Sequence, residues 1–252
     1  MTPHSKNKII ALLGPFFHPA HIPYLMMTDV RSWKSVPDWI ASFRPGYSFL
    51  EKPMPWLPFV AMDWLRTYLR PDMNVFEYGS GASTIFMAQR AGQVFTVEHD
   101  AVWHRLVSEA LRQHRVSNCL YQLHEPRFHE DSANVSSVRT LMADPSEREN
   151  PGVNFESYVA AIDAYPDQTF DLVLIDGRAR RACIEHALPK IKKGAFLMLD
   201  NANDPRLVDC LQRMHPYQKR DLHGIAPGWP PARWTTSVWR IDRNVSATAL
   251  VA

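Results

Sequence analysis

The sequence predicts an α/β fold with a mostly parallel sheet and helices on both faces. Three observations point there. From residue 74 onward, short apolar stretches recur between amphipathic ones. Two of them, Phe170 to Ile175 (FDLVLI) and Ala195 to Leu199 (AFLML), lack regular polar alternation, as strands buried on both faces do. A glycine bend, Gly79-Ser80-Gly81, stands where the first strand should give way to a helix. Alternating strand and helix units imply a parallel sheet wound on both faces.

Residues 1–55 are rich in proline and aromatics and read as an N-terminal helical cap tied down by Trp33, Trp39, Phe43 and Tyr47. The rest, 56–252, reads as the main domain. Pro58 to Leu69 carries apolar residues at helical spacing, with Pro58 suited to the first helical position and Pro71 beyond the end. Asn74 to Tyr78 is a strand, residues 79–84 a turn, and Ile85 to Ala91 a helix. Gln93 to Glu98 is the second strand. Ala101 to His114 is a helix with Val102, Leu106 and Ala110 on one face, and Cys119 to Leu123 is the third strand. An insert follows over 125–168, with a helix at Phe155 to Ala164; so long a connection is often functional. After the strand at Phe170 come a helix from Arg181 to Ile191, stopped by Lys192-Lys193-Gly194, and the strand at Ala195. A helix over Leu207 to Met214 and two strands, Tyr217 to Leu222 and Thr235 to Ile241, complete the set.

Bulk composition narrows the function. The 252 residues, 46% hydrophobic, can bury one sizeable core. A formal net charge of +2 gives no case for a nucleic-acid partner, whose phosphates call for a concentrated basic face. The one dense basic run, Arg178, Arg180 and Arg181, reads as a solvated helix start or an anion site. No apolar run approaches the ~20 residues of a membrane span. Lys6, Lys8 and the stretch Ile9 to Phe17 faintly resemble a signal peptide, but Pro15 interrupts it and no clean cleavage site follows, so the expected compartment is the cytoplasm. Cys119, Cys183 and Cys210 are too few and too scattered for a disulfide framework or a zinc site.

The chemistry concentrates at Phe76-Glu77-Tyr78-Gly79-Ser80-Gly81-Ala82-Ser83-Thr84. Glycines let the backbone bend and approach a ligand, and the helix N-terminus offers free N–H groups. Glu77, two positions before Gly79, suits a cationic ligand rather than a bare pyrophosphate. Thr84 replaces the third glycine of the dinucleotide fingerprint. Glu98 ends the next strand, where a carboxylate accepts hydrogen bonds from ribose hydroxyls.

These residues resemble class I S-adenosylmethionine-dependent methyltransferases. Glu77-x-Gly79-x-Gly81 matches their first motif and Val97-Glu98-His99-Asp100 their second. The resemblance, from about Pro55 to Ile241, implies a Rossmann-like seven-stranded sheet with a reversed last hairpin. It also implies S-adenosylmethionine as cofactor, held by Glu77, Tyr78, Gly79, Ser80, Gly81, Ser83, Thr84, Glu98, His99 and Asp176. EYGSGAST, VEHD, LIDGRAR, LDN and GIAP…TTS are similar to a largely uncharacterised bacterial subgroup, which implies the cofactor but not the acceptor.

A second constellation, Asp176 and then Asp200-Asn201, follows two buried strands and projects at the carboxyl edge of the sheet. Two carboxylates and an amide oxygen suit Mg²⁺ or another divalent cation. The spacing is similar to catechol and caffeoyl-CoA O-methyltransferases, which implies Asp176, Asp200 and Asn201 as metal ligands. Those families carry a lysine base shortly after the first Asp; here Gly177-Arg178-Ala179-Arg180 stands instead, and arginine stays protonated. The competing reading has Asp176 positioning acceptor or cofactor, with Asp200 and Asn201 capping the next loop. Asp176 and His99 are the catalytic candidates; His129, His186 and His223 are further candidates by type. Trp229 and Trp234, in the Pro-rich loop after His223, are either a rigid surface loop or a stacking wall for a flat or sugar-like acceptor.

The expected function is therefore O-directed methyl transfer to a small molecule or saccharide, with no nucleic-acid partner and no stable membrane insertion. Alternatives on the same fold are an NAD-dependent oxidoreductase, a non-catalytic nucleotide-cofactor-binding module and an aminopropyl transferase. Glu77 and the missing third glycine count against the first, the intact motifs against the second, and the lack of a polyamine-binding acidic cluster against the third.

Overall fold

A computed structural model describes residues 30–128, 153–229 and 234–242. The stretch Ile9 to Phe17, the first half of the cap, His129 and the middle of the 125–168 insert lie outside the described residues.

The chain enters through a 3₁₀ turn, Val30–Ser35, and the short helix α1 (Val36–Ala41), then α2 (Phe59–Tyr68). Seven strands follow in one sheet: β1 (Asn74–Tyr78), β2 (Gln93–Glu98), β3 (Cys119–Leu123), β6 (Phe170–Ile175), β7 (Ile191–Leu199), β8 (Gln218–Gly224) and β9 (Trp234–Ile241). Their order is β3-β2-β1-β6-β7-β9-β8, with β9 antiparallel to both neighbours and the remaining pairs parallel. The helices between them are α3 (Ala82–Ala88), α4 (Ala101–Gln113), α5 (Glu156–Val159), α6 (Arg180–Ala187) and α7 (Val208–Gln212). The Rossmann-like, mostly parallel sheet with a reversed last hairpin is thus as expected. The insert closes on a separate antiparallel ribbon of β4 (Arg127–Phe128) and β5 (Val153–Asn154).

The period-two alternation of the strands divides the core. Phe76, Tyr78, Val173 and Ile175 face one layer with Tyr158, Phe170 and Trp239. Val75, Leu172 and Leu174 face the other with Leu57, Met62, Leu65 and Phe86. Trp39 of the cap is buried in this second layer, so described cap residues share a core with the sheet.

Several element boundaries differ from the sequence reading. Helix α3 begins at Ala82, inside the expected turn. The helix expected over residues 155–164 is one α turn followed by a 3₁₀ segment, Ala160–Ala164. The helix expected to run to Ile191 stops at Ala187, and Pro189 lies in a 3₁₀ turn, because proline has no N–H to continue the ladder. Lys192, Lys193 and Gly194 consequently belong to β7, where Lys192 donates to Asp171 of β6 at 2.8 Å. The helix expected over residues 207–214 is a 3₁₀ turn, Pro205–Leu207, followed by α7.

The face assigned to α4 is corrected as well. Val102 and Leu106 are 60% and 52% exposed, whereas Val107, Ala110 and Leu111 are buried. The Asp100 carboxylate caps the helix by accepting from the N–H groups of Val102 and Trp103, both at 2.8 Å. The Trp103 indole donates to the Ser80 carbonyl at 2.8 Å, which turns the 103-107-111 stripe inward.

Among the described residues no helix is long and apolar enough to cross a membrane.

The corrected face has a measurable consequence. Val107→Ala should cost about 2 kcal/mol of stability, and Leu106→Ser should stay within about 0.5 kcal/mol of wild type, in urea unfolding. Equal effects would return Leu106 to the core.

Candidate active site

The site starts from one backbone contact. Gly79 has φ +85°, and a Cβ there would lie 2.8 Å from Gly177 Cα and 2.9 Å from the Asp176 carbonyl. A Cβ on Gly177 would lie 2.0 Å from the Tyr158 hydroxyl and 3.0 Å from Gly79 N. The C-terminal ends of β1 and β6 therefore meet glycine to glycine. Gly81 differs: a Cβ there would meet only the Trp103 ring, at 3.8 Å.

Ser80, between these glycines, is a polar hub. Its N–H and hydroxyl donate to Glu98 Oε2 at 3.0 and 2.6 Å, and its hydroxyl lies 2.6 Å from the Tyr121 hydroxyl. Glu98 Oε1 accepts from the N–H groups of His99 and Asp100 at 2.8 and 3.0 Å. Burial alone would raise the Glu98 pKa. The hydrogen bonds from His99, Ser80 and Asp100 outweigh it and hold the carboxyl at about 2.

Glu77 has the opposite environment. It is fully buried and accepts from the hydroxyls of Ser83, Thr84 and Thr96 at 2.5, 2.6 and 2.9 Å. Burial pushes its pKa up to about 7 against those three hydrogen bonds, and the charge of Glu98 adds to the rise. Thr84 also accepts from the Gly81 N–H at 3.0 Å. The expectation that Glu77 faces a cationic ligand is corrected: it is fully buried, and its oxygens are taken by the hydroxyls of Ser83, Thr84 and Thr96. Thr84 is fully buried with it, and the Tyr78 hydroxyl donates to the Val159 carbonyl at 2.7 Å in the core.

A cavity of about 240 Å³ opens beside the bend. Ser80, Gly81, Ala82, Ser83 and Trp103 form one side, Ser48, Phe49, Leu50 and Trp56 of the cap the other. Asp176 is the ionisable side chain in its wall among the described residues. Of the histidine candidates, His99 stands against Phe155 and Tyr158 with Nδ1 2.8 Å from Glu98 Oε1. His186 pairs with Asp163, and His223 with Thr235. None of these three lines the cavity.

Asp176, Asp200 and Asn201 do converge at the ends of β6 and β7, but the Arg180 side chain reaches into their midst. Its Nη2 is 3.5 Å from Asp176 Oδ1, and Nη1 and Nη2 are 3.3 and 3.4 Å from Asn201 Oδ1. Nη1 also donates to the Asp200 carbonyl and Nε to the Gly177 carbonyl, at 2.5 and 3.0 Å. The Thr236 hydroxyl takes Asp200 Oδ1 at 2.5 Å. Burial raises the pKa of Asp176 well above the ordinary carboxylate range, and Asp200 raises it further while Arg180 opposes. Burial also raises Asp200, against the Thr236 hydrogen bond. A divalent cation does not fit here, because a guanidinium already faces Asp176, Asn201 and the Asp200 carbonyl, and Thr236 takes the Asp200 carboxyl.

Trp229 and Trp234 pack ring to ring at 5.0 Å, outside the cavity wall. Their loop is tied to the cap: the Trp39 indole donates to the Trp229 carbonyl at 3.0 Å and the Gly228 N–H to Ser42 Oγ at 2.8 Å. Sequence reasoning missed Trp103, Tyr121, Phe49, Trp56, Thr96 and Thr236. The register places Thr96 beside Glu77, a pairing known only once the strands are aligned. The capping Asp100 before Trp103 was a usable signal.

A family model described as a methyltransferase domain matches residues 76–202, half of the chain, and the chain belongs to that family. With this fold it is an S-adenosylmethionine-dependent methyltransferase, which sets aside the oxidoreductase reading. Among solved structures, it is similar to an O-methyltransferase from Bacillus cereus in complex with SAH, at 16% identity and TM-score 0.53 over 84% of this chain and 99% of that one. A putative O-methyltransferase from Klebsiella pneumoniae gives 18% identity and TM-score 0.52 over the same shares. A cofactor-bound MTB protein gives 16% and 0.51 over 84% and 89%. No curated protein matches the sequence.

The two glycines of the bend should respond differently. Gly79→Ala should unfold at lower urea, since its Cβ meets backbone at positive φ. Gly81→Val should fold like wild type yet lose S-adenosylhomocysteine binding by calorimetry, because its side chain projects into the cavity wall. Retained affinity in Gly81→Val would separate the cavity from the cofactor.

Proposed function

We propose that this methyltransferase transfers its methyl group to a hydroxyl oxygen of a small molecule or saccharide. The observation that carries the reading is Asp176, the carboxyl group in the wall of a cavity bounded by the glycine bend and cap aromatics. Methyl transfer asks the protein to align nucleophile, methyl carbon and sulfur and to keep water out. An oxygen nucleophile also needs a proton acceptor more basic than an ordinary carboxylate. Asp176 supplies it, while Phe49 and Trp56 give a flat or sugar-like acceptor apolar faces to lie against.

On the cofactor side, Gly79, Ser80, Gly81 and Ser83 frame the ligand through the bend. Glu98, held ionised at the end of β2, accepts from the ribose hydroxyls; the Ser80 hydroxyl occupies one of its oxygens and yields it to the ligand. His99 positions Glu98. Glu77, Tyr78 and Thr84 act from behind, keeping the bend in shape. Cap residues before 56 close the acceptor side over the domain that follows, and the 125–168 insert borders His99 through Phe155 and Tyr158. The near-neutral charge balance supports an uncharged small acceptor over nucleic acid.

Labelled S-adenosylmethionine, offered with a panel of hydroxylated small molecules, saccharides and RNA, should place label on oxygen of a small acceptor. Label in RNA alone would overturn the reading. In the same assay Asp176→Asn should lower kcat by roughly 10²- to 10⁴-fold while leaving S-adenosylhomocysteine affinity within a few-fold. Glu98→Ala should do the reverse first, weakening that affinity roughly 10- to 100-fold in calorimetry through loss of a charged acceptor; unchanged affinity would remove Glu98 from the ribose.

A further inference from the structure

We propose that Arg180 is a built-in cation: its guanidinium stands in the place that a divalent metal would take between Asp176, Asp200 and Asn201, and holds Asp176 toward the acceptor. The inference rests on the reading that Asp176 faces the acceptor.

The oxygens that gather at the ends of β6 and β7 form a donor set for a hard cation. They comprise the Asp176 carboxylate, the Asn201 amide oxygen and the main-chain carbonyls of Gly177 and Asp200. A hard divalent ion is held by such oxygens at about 2.0–2.6 Å. Every one of them is instead within 3.5 Å of a guanidinium nitrogen. Arginine carries five N–H donors in a rigid fork and no acceptor. It therefore sets a fixed positive charge beside the Asp176 carboxyl, and its side chain is only 17% exposed.

Two backbone features serve this placement. Ala179, buried at the N-terminus of α6, has φ +51°, a left-handed conformation that a residue with a Cβ enters only at an energetic cost. The kink folds the chain back so that Arg180 bonds the Gly177 carbonyl three residues earlier. Asn201, at φ +50°, takes the same conformation at the end of β7, which asparagine tolerates well, and its amide oxygen meets the guanidinium. Two left-handed residues on separate loops thus bring one cation and its donors together. With the charge held in place, Arg180 is a positioning residue: it touches no reacting atom and acts through Asp176.

Mn²⁺ titration followed by electron paramagnetic resonance tests this without recourse to activity. Wild-type protein should leave the spectrum of free Mn²⁺ unchanged up to millimolar protein. Arg180→Ala should bind one Mn²⁺ per chain, and Arg180→Ala with Asp176→Asn should lose it again. Arg180→Lys, which keeps a charge, should not bind. Stoichiometric Mn²⁺ uptake by wild type that vanishes in Asp176→Asn would overturn the proposal, as would a folded Arg180→Ala that takes up none. If Arg180→Ala fails to fold, the wild-type titration decides. Failure of the oxygen-acceptor reading would show in the methyl-transfer assay and leave these spectra unaffected.

Discussion

The close approach of β1 to β6 through Gly79 and Gly177 sets the geometry of the whole carboxyl edge. Two backbones can come this near only where neither residue carries a Cβ, and Gly79 must also turn through positive φ. The contact brings the bend after one strand alongside the loop after the next. Ser80 and Asp176, distant in sequence, thereby border one cavity. Ligands in open α/β sheets bind at the carboxyl edge because loops diverge there; in this chain the same edge also holds its buried charge.

Glu77, Glu98, Asp176 and Asp200 cluster near that edge, and each is accommodated in its own way. Glu77 is surrounded by hydroxyls, which stabilise it without adding positive charge, so burial lifts its pKa to about 7. Glu98 receives hydrogen bonds from His99, Ser80 and the Asp100 N–H, which favour the ionised form strongly enough to overcome burial. Asp200 is fixed by Thr236 of β9, and Asp176 lies between Asp200 and the Arg180 guanidinium. The environments push these groups apart in acidity. A carboxylate kept ionised suits hydrogen-bond acceptance from a ligand; one kept basic suits proton acceptance.

The acceptor side is assembled from segments far apart in the chain. Trp39 and Ser42 of the cap hold the β8–β9 loop by its main chain, and Gly228, at φ +72°, leaves room for the Phe49 ring, which would lie 2.8 Å from a Cβ there. Phe49 and Trp56 then face the bend across the cavity. The loop tryptophans pack on each other outside this wall.

The order of the seven sheet strands, their mostly parallel arrangement and the glycine bend were legible in the chain, because these are written in local periodicity and in residues whose backbone freedom is intrinsic; the β4–β5 ribbon was not. The sequence also placed Glu98, Asp176 and Asp200 at strand ends, since strand length and polarity mark those ends directly. The direction in which side chains face came from contacts across the fold. Glu77 turned inward because its partner Thr96 is fixed by strand register, and α4 buried Val107 rather than Leu106 because the Trp103 indole is bound to a carbonyl in another loop. The use of Arg180 depends likewise on left-handed turns at Ala179 and Asn201, which no periodicity encodes. Contacts across the fold choose among faces and rotamers that are locally near-equal in energy, and a linear reading contains no term that ranks them.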